Sequence, residues 1–412
     1  MSNVLFLVHR IPYPPNKGDK IRSYYLLRHL CKNHNVYLGA FIDDPRDEQH
    51  IERMRRHCAG VFFRPIGGWR SRVSAFFALL KRQSLSIGYY ADAEMSRWAA
   101  DTVREADIDL VVAFSSTMAQ FVPVSGEHAV RCVADFVDLD SDKWRQFANE
   151  ASWYKSLIYS YEAAALSRWE IDVSHRVDAV AFVSEEEKRL MRQRARTADS
   201  NVCVIRNGVD HEFFDPQMDF ESPYAPGRRA VVFTGAMDYF ANEDGVCWFA
   251  DSVWPGIREA HPETEFWVVG SNPTQRVQDL DERDGITVTG FVDDVRPYLK
   301  HADLAVAPLA LARGVQNKVL EALAMCLPVV ATPQALQGLD GDLPPAVTSV
   351  SGAEDFLRAV KQALTSGDGV SNAAGRGYVQ QFYDWDKNLE ELSRVVVDML
   401  EPSAESRPAF SA

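Results

Sequence analysis

Short apolar runs alternate with helical stretches along the whole chain, and this alternation constrains the fold more than any other feature. Buried strands interleaved with helices assemble into parallel sheets covered by helices on both faces. In the first half the runs fall at 4–8, 36–42, 61–66, 110–114, 132–137, 178–183 and 202–205. In the second they fall at 230–234, 265–269, 286–289, 304–309, 328–332 and, less sharply, 347–350. Each set suffices for one Rossmann-like sheet. At 412 residues the chain exceeds the size at which one core keeps growing, so two α/β domains are expected. Pro216, Pro223 and Pro226 punctuate a polar segment that reads as the linker. The expected organisation is a first domain at 1–213, a linker at 214–228, a second domain at 229–384, an amphipathic run at 385–400 and a disordered Ser/Ala/Pro-rich end at 401–412. A cleft between the two domains is the expected ligand site.

The segment Arg313-Gly314-Val315-Gln316-Asn317-Lys318-Val319-Leu320-Glu321 says most about chemistry. It reads as a glycine-containing loop feeding a helix that opens at about Gln316. Backbone amides of Gly314, Val315 and Asn317 would converge there with the cations Arg313 and Lys318, where the helix dipole is positive. Such a corner suits a diphosphate. Glu321 lies one turn further on the same face, placed to accept hydrogen bonds from a ribose diol. The plain alternative is an ordinary strand-to-helix crossover with a solvated Lys/Glu face.

Other function classes find less support. No apolar run is long enough to span a bilayer, and the start of the chain lacks a basic leader and cleavage site. The six cysteines are scattered without a CxxC pair, and the ten histidines do not cluster, so reduced cytosolic thiols and no metal site are expected. No strand is followed by GxGxxG, which argues against a dinucleotide-dependent oxidoreductase. Charge is uneven: residues 1–200 carry 28 Lys+Arg against 26 Asp+Glu, and residues 201–412 carry 16 against 32. Arg53, Arg55, Arg56, Arg64, Arg70, Arg72, Lys81 and Arg82 lie among aromatic residues, with Glu52 the single acid of residues 51–85. The segment 53–82 is suited to lying on anionic lipid headgroups, the alternative being a solvated basic helix whose aromatics pack inward. Nucleic acid is disfavoured as a partner by the acidity of the rest of the chain. The stretch from about Phe147 to Arg176 reads as one long helix with a mostly packed aromatic face.

Several motifs occur in an informative order: Asn207-Gly208-Val209-Asp210 with Phe213, Val232-Phe233-Thr234-Gly235, Val288-Thr289-Gly290-Phe291-Val292, the Lys318/Glu321 helix, and Pro328-Val329-Val330-Ala331-Thr332. Together they resemble the retaining GT-B glycosyltransferases called group 1 or family 4. Lys17-Gly18-Asp19-Lys20-Ile21-Arg22, Asp135-Phe136-Val137-Asp138-Leu139-Asp140 and Gly235-Ala236-Met237-Asp238-Tyr239 look closer still to the sugar transferases of exosortase and exopolysaccharide loci. The resemblance implies two Rossmann-like domains facing a central cleft, with the run 385–400 crossing back onto the first. It further implies a metal-independent hexosyl transfer, without a cofactor, from a nucleotide-diphosphate sugar to a glycan, commonly lipid-linked, at the inner face of the cytoplasmic membrane. The protein would then be cytoplasmic or peripheral on that membrane.

Electrostatic stabilisation of the departing diphosphate is the dominant need in such a reaction, and Arg313 and Lys318 are placed against it. Gly235 and Phe291 are expected on the donor by resemblance. Gly18, after the first strand, permits close backbone approach to phosphate or sugar, or is a plain loop glycine. Asp138 is the candidate for orienting a reacting sugar, with Asp135 and Asp140 as acceptor-side neighbours; an aspartate after a buried strand can also be merely a helix cap. The chain departs from the family pattern in three places. Arg313 stands where many members carry a first acid, the Arg/Lys pair usual after Gly235 is missing, and Val137 replaces a histidine beside Asp138. An epimerase of the same fold and a non-catalytic nucleotide-sugar binder are the rival functions.

Overall fold

The computed structural model describes residues 1–15, 17–123, 129–196, 201–312, 314–366 and 372–400. The chain forms two compact units, Met1–Arg206 joined by the chain from Leu389 onward, and Asn207–Asn388.

The first unit is built on seven parallel strands: β1 (Asn3–Val8), β2 (Asn35–Ile42), β3 (Gly60–Pro65), β4 (Leu110–Phe114), β5 (Arg131–Val137), β6 (Ala179–Phe182) and β7 (Val202–Val204), in the order β3-β2-β1-β4-β5-β6-β7. Val4 to Val8 and Leu110 to Phe114 are buried without interruption, as expected of strands covered on both faces. The order reverses direction between β1 and β4, so the loops leaving these strands diverge and open a crevice at the C-terminal edge of the sheet. The helix Trp385–Leu400 completes this unit from its fifth residue on, burying Leu389, Leu392 and Val396. His29 Nε2 lies 2.7 Å from Ser393 Oγ, and Arg131 donates to the Met399 carbonyl.

The second unit carries β8 (Arg229–Thr234), β9 (Thr264–Val269), β10 (Ile286–Gly290), β11 (Leu304–Ala307), β12 (Val329–Ala331) and β13 (Val347–Ser349), ordered β10-β9-β8-β11-β12-β13, all parallel. The short β13 forms one edge, which explains its weak apolar signal in the sequence. β11 stops at Ala307 rather than continuing to Leu309 because Pro308 has no N–H for the ladder. Here the reversal lies between β8 and β11.

Three expectations change. The boundary between units falls at Arg206/Asn207, and 214–228 is an integral part of the second unit instead of a linker. Phe214 and Phe220 pack on its core, and Tyr224 is buried with its hydroxyl donating to the Tyr298 carbonyl at 2.7 Å. Aromatic burial outweighs the three prolines as a structural signal. The basic stretch 53–82 is not one segment: β3 is an edge strand of the sheet, Arg64 pairs with Asp92 and Glu94, and Arg53 stacks on Tyr13 at 4.1 Å. The helix Gly68–Leu80 and the residues just after it keep the expected surface character, as do the exposed Arg53, Arg55 and Arg56. The stretch near Phe147–Arg176 is two helices, Asp140–Glu150 and Trp153–Arg176, and Trp153 and Tyr154 are exposed, not packed.

Candidate functional site

All strands of the second unit end on one edge, and the loops leaving β8 and β11 straddle its reversal point, where open α/β sheets bind ligands. β8 runs into Gly235 and the turn before the helix Phe240–Ser252. β11 runs through the loop containing Gly314 into the helix Asn317–Ala324. That helix opens without a side-chain cap, Gln316 being extended at its N-cap, so its first amides present positive potential to the crevice. Gly314 has φ +62°, a left-handed conformation that glycine adopts without a Cβ penalty.

Lys318 reaches across the reversal point. Its Nζ donates to Asn242 Oδ1 at 2.5 Å and lies 4.2 Å from the Phe233 ring centroid. Asn242 in turn donates to the Ala236 carbonyl at 2.9 Å, locking the turn after β8. A Cβ on Gly235 would sit 2.8 Å from Asn242 Nδ2 and 3.3 Å from Lys318 Nζ, so the glycine is what admits the ammonium. Burial pushes the Lys318 ammonium down to about 7, the Glu321 carboxylate partly offsetting it. Burial likewise raises Glu321 to about 7 against the opposing charge of Lys318. No described residue donates a hydrogen bond to the Glu321 carboxylate, and the buried Asn317 Oδ1 is also without a described partner. These groups carry unspent hydrogen-bonding capacity in a partly desolvated corner, the condition that a polar ligand relieves.

Gly290 ends β10 with φ +67° and is followed by Phe291, 68% exposed. Arg313 lies outside the described residues. Three contributors were missed in the sequence: Asn242, which holds Lys318; Gly270, where a Cβ would meet the Gly235 carbonyl oxygen at 1.7 Å; and Gly338, where a Cβ would meet the Gly314 carbonyl oxygen at 2.2 Å. Asn242 had a legible signal, a polar residue among the apolar positions of a helix that follows a glycine turn. The two glycines act through contacts distant in sequence.

In the first unit the sequence candidates gather at the C-terminal edge of the sheet. Gly18 opens the helix Gly18–Asn33 and is exposed. His9, after β1, stacks on Phe114 with centroids 5.6 Å apart and its Nε2 3.1 Å from Asp19 Oδ2. Although burial favours its neutral form, Asp19 is held far below the usual carboxylate range by His9 and Arg10, the latter at 2.7 Å. Asp135 is not free to meet an acceptor: it is fully buried and receives Arg22 Nε at 2.9 Å and Nη2 at 3.1 Å. Its Oδ1 also accepts the Val137 amide at 3.1 Å. Val137 has φ +69°, a strained conformation for a β-branched residue that turns the chain sharply into Asp138. Asp138 keeps Oδ1 buried without a described partner, and burial, with Glu187 and Asp140 nearby, raises it to about 7. Asp140 begins the next helix, where Ser141 is bound by the buried Glu170, itself raised by burial to about 8.

Each unit thus places strained or unpartnered polar groups at the C-terminal edge of a parallel sheet. The sequence profile described as "Glycosyltransferase Family 4" matches residues 20–213, and that described as "Glycosyl transferases group 1" matches residues 228–366. The chain belongs to the group 1 glycosyltransferases. Sucrose-phosphate synthase of Thermosynechococcus elongatus has the same fold, at 14% identity and TM-score 0.70, over 98% of this chain and 100% of that one. Anabaena Alr3699/HepE, solved in complex with UDP-glucose, aligns at 12% identity and TM-score 0.66, over 97% and 100%. WaaG, a glycosyltransferase involved in lipopolysaccharide biosynthesis, aligns at 15% identity and TM-score 0.65, over 95% and 99%. A Klebsiella pneumoniae protein described as an uncharacterised 44.6 kDa protein in the cps region is 20% identical over 351 residues, covering 82% of this chain and 84% of that protein. The glycosyltransferase therefore has the GT-B fold with two Rossmann-like domains, and no helix among its described residues is long and apolar enough to cross a membrane.

Proposed function

We propose that the protein is a retaining, metal-independent hexosyltransferase that moves a sugar from a nucleotide-diphosphate donor to a glycan acceptor in polysaccharide assembly. The observation that carries this reading is the corner of Lys318, Asn242, Asn317 and Glu321 at the reversal point of the second sheet, where the Asn317 side-chain oxygen and the Glu321 carboxylate have no described donor. Glu321 takes the ribose diol. Amides at the start of the helix Asn317–Ala324, with Gly314, Val315 and Gly235 allowing close approach, take the diphosphate together with Lys318 and Arg313. Phe291 lies against the donor. As the glycosyl bond breaks, charge grows on the diphosphate, and a fixed cation in a partly desolvated corner stabilises it more than the ground state. Gly18 and Asp138 act at the sugar end, with Asp140 beside Asp138. UDP and UDP-glucose in the Anabaena neighbour support a uridine nucleotide donor, and the cps-region relative supports an exopolysaccharide role. The acceptor is lipid-linked, and the protein works as a peripheral protein on the inner face of the cell membrane.

Incubation with radiolabelled nucleotide sugars and a lipid extract tests this, with EDTA present throughout. Label transferred to lipid with retained anomeric configuration is the expected result. An isomerised donor would replace the transferase reading by the epimerase, and binding without turnover by the non-catalytic binder.

A further inference from the structure

We infer that two helices of the first unit, Gly68–Leu80 and the opening turns of Trp153–Arg176, form one surface that dips into the interface of an anionic lipid bilayer. This rests on the peripheral-membrane reading above and extends it from a basic segment to a two-helix surface with an apolar face.

Isolated exposed apolar residues are ordinary, but here they form stripes. Val73, Phe76, Phe77 and Leu80 follow the spacing i, i+3, i+4, i+7 of a single helix face, and Phe76 is 58% and Leu80 65% exposed. Trp153, Tyr154, Leu157 and Ile158 form a second stripe, with Trp153 at 77% and Leu157 at 66%. Trp144, at 5.3 Å from Tyr159, and Phe147 occupy another side of that helix, so packing within the unit leaves the stripe uncovered.

The turn after the first helix is tied to the second. Tyr161 Oη donates to the Gln83 carbonyl at 2.9 Å, Ser84 Oγ donates to Glu162 Oε1 at 2.6 Å, and the Leu85 amide donates to Glu162 Oε2 at 2.6 Å. These bonds fix the turn that follows the first helix one helical turn from Ile158, which by inference brings the exposed ends of the two stripes to the same side of the unit.

Charge selects the occupant. No Asp or Glu occurs from Arg53 to Ala91 or from Ala151 to Tyr161, in a chain of net charge −14. Lys81, Arg82 and Lys155 are exposed beside the stripes. A second copy would bring cation against cation, whereas anionic headgroups meet the cations while Trp153, Tyr154 and the phenylalanines enter the headgroup–acyl boundary.

The test uses the full chain with vesicles of phosphatidylcholine, with and without phosphatidylglycerol. Wild type should cosediment only with the anionic vesicles and less at high salt. Phe76→Ser/Phe77→Ser and Trp153→Ser/Leu157→Ser should each weaken vesicle affinity about tenfold or more. Lys81→Gln/Arg82→Gln/Lys155→Gln should weaken it and flatten its salt dependence. Brominated phospholipid should quench emission in wild type by more than in Trp153→Phe. Binding of Trp153→Ser/Leu157→Ser equal to wild type, with loss in the Phe76/Phe77 variant, would overturn the two-helix surface and leave the basic helix alone as the anchor. No binding by wild type would overturn both. Self-association without vesicles that the same substitutions abolish would make the face a protein interface instead. Stabilisation by nucleotide sugar, measured in every variant, tests the transferase reading separately.

Discussion

Replacing Glu321 by glutamine should move stability and donor binding in opposite directions. In the free protein burial raises its carboxyl from an ordinary value of 4.5 to about 7, so above pH 7 the fold holds a carboxylate in an environment that favours the acid. Taken in full, that displacement is about 3 kcal/mol. Water screening of a half-buried side chain reduces it to about 1–2 kcal/mol. Because the folded value lies above the unfolded one, the penalty is absent below about pH 4.5, grows as pH rises toward 7 and is constant beyond. Glu321→Gln should therefore raise the unfolding temperature of the unliganded protein at pH 8 by about 2–6 °C and leave it unchanged near pH 4.5. Lys318, deprived of its counter-charge, shifts further toward neutral, which limits the opposing cost. In donor binding the amide replaces a charged acceptor by a neutral one, a loss of about 2 kcal/mol or roughly thirtyfold in affinity. Scanning calorimetry at the two pH values, with isothermal titration of whichever nucleotide sugar stabilises wild type most, measures both. Unchanged donor affinity, or a fall in unfolding temperature at pH 8, would refute the reasoning.

Lys318→Ala should lower turnover at saturating donor more than it weakens donor binding, because its charge acts on the departing diphosphate; an effect on KM alone would show uniform binding. Donor affinity of wild type should peak near pH 7, falling below as Glu321 gains a proton and above as Lys318 loses one, and a flat profile from pH 6 to 8 would exclude both groups from the contact. Gly270→Ala should destabilise the second unit by about 1–3 kcal/mol, read by urea unfolding, since its Cβ would collide with the Gly235 carbonyl.

The strands were legible because parallel strands covered on both faces must be continuously apolar, and all thirteen described ones match runs in the sequence. The charged corner of the second unit was legible for a related reason: Gly314, Asn317, Lys318 and Glu321 are close in sequence, and helical spacing alone brings the last three together. What stayed hidden depends on distance along the chain. Asp135 looked available until Arg22, 113 residues earlier, was seen to occupy it. Asn242 and Gly338 serve the site from other elements. The aromatic residues at 214–224 and 153–158 mislead in opposite senses, the first packing where prolines suggested a linker and the second standing exposed where aromaticity suggested a core.

The closing helix has a consequence for how the chain matures on the ribosome. Leu389, Leu392 and Val396 fill a position in the first unit, yet they are translated only after the whole of Asn207–Asn388. At about 5–20 residues per second the earlier unit waits roughly ten to forty seconds for its last element. The second unit is contiguous and has every residue it needs before those final turns emerge. The unit made first is therefore the one finished last, and during that interval the surface later covered by residues 389–400 is open to chaperones.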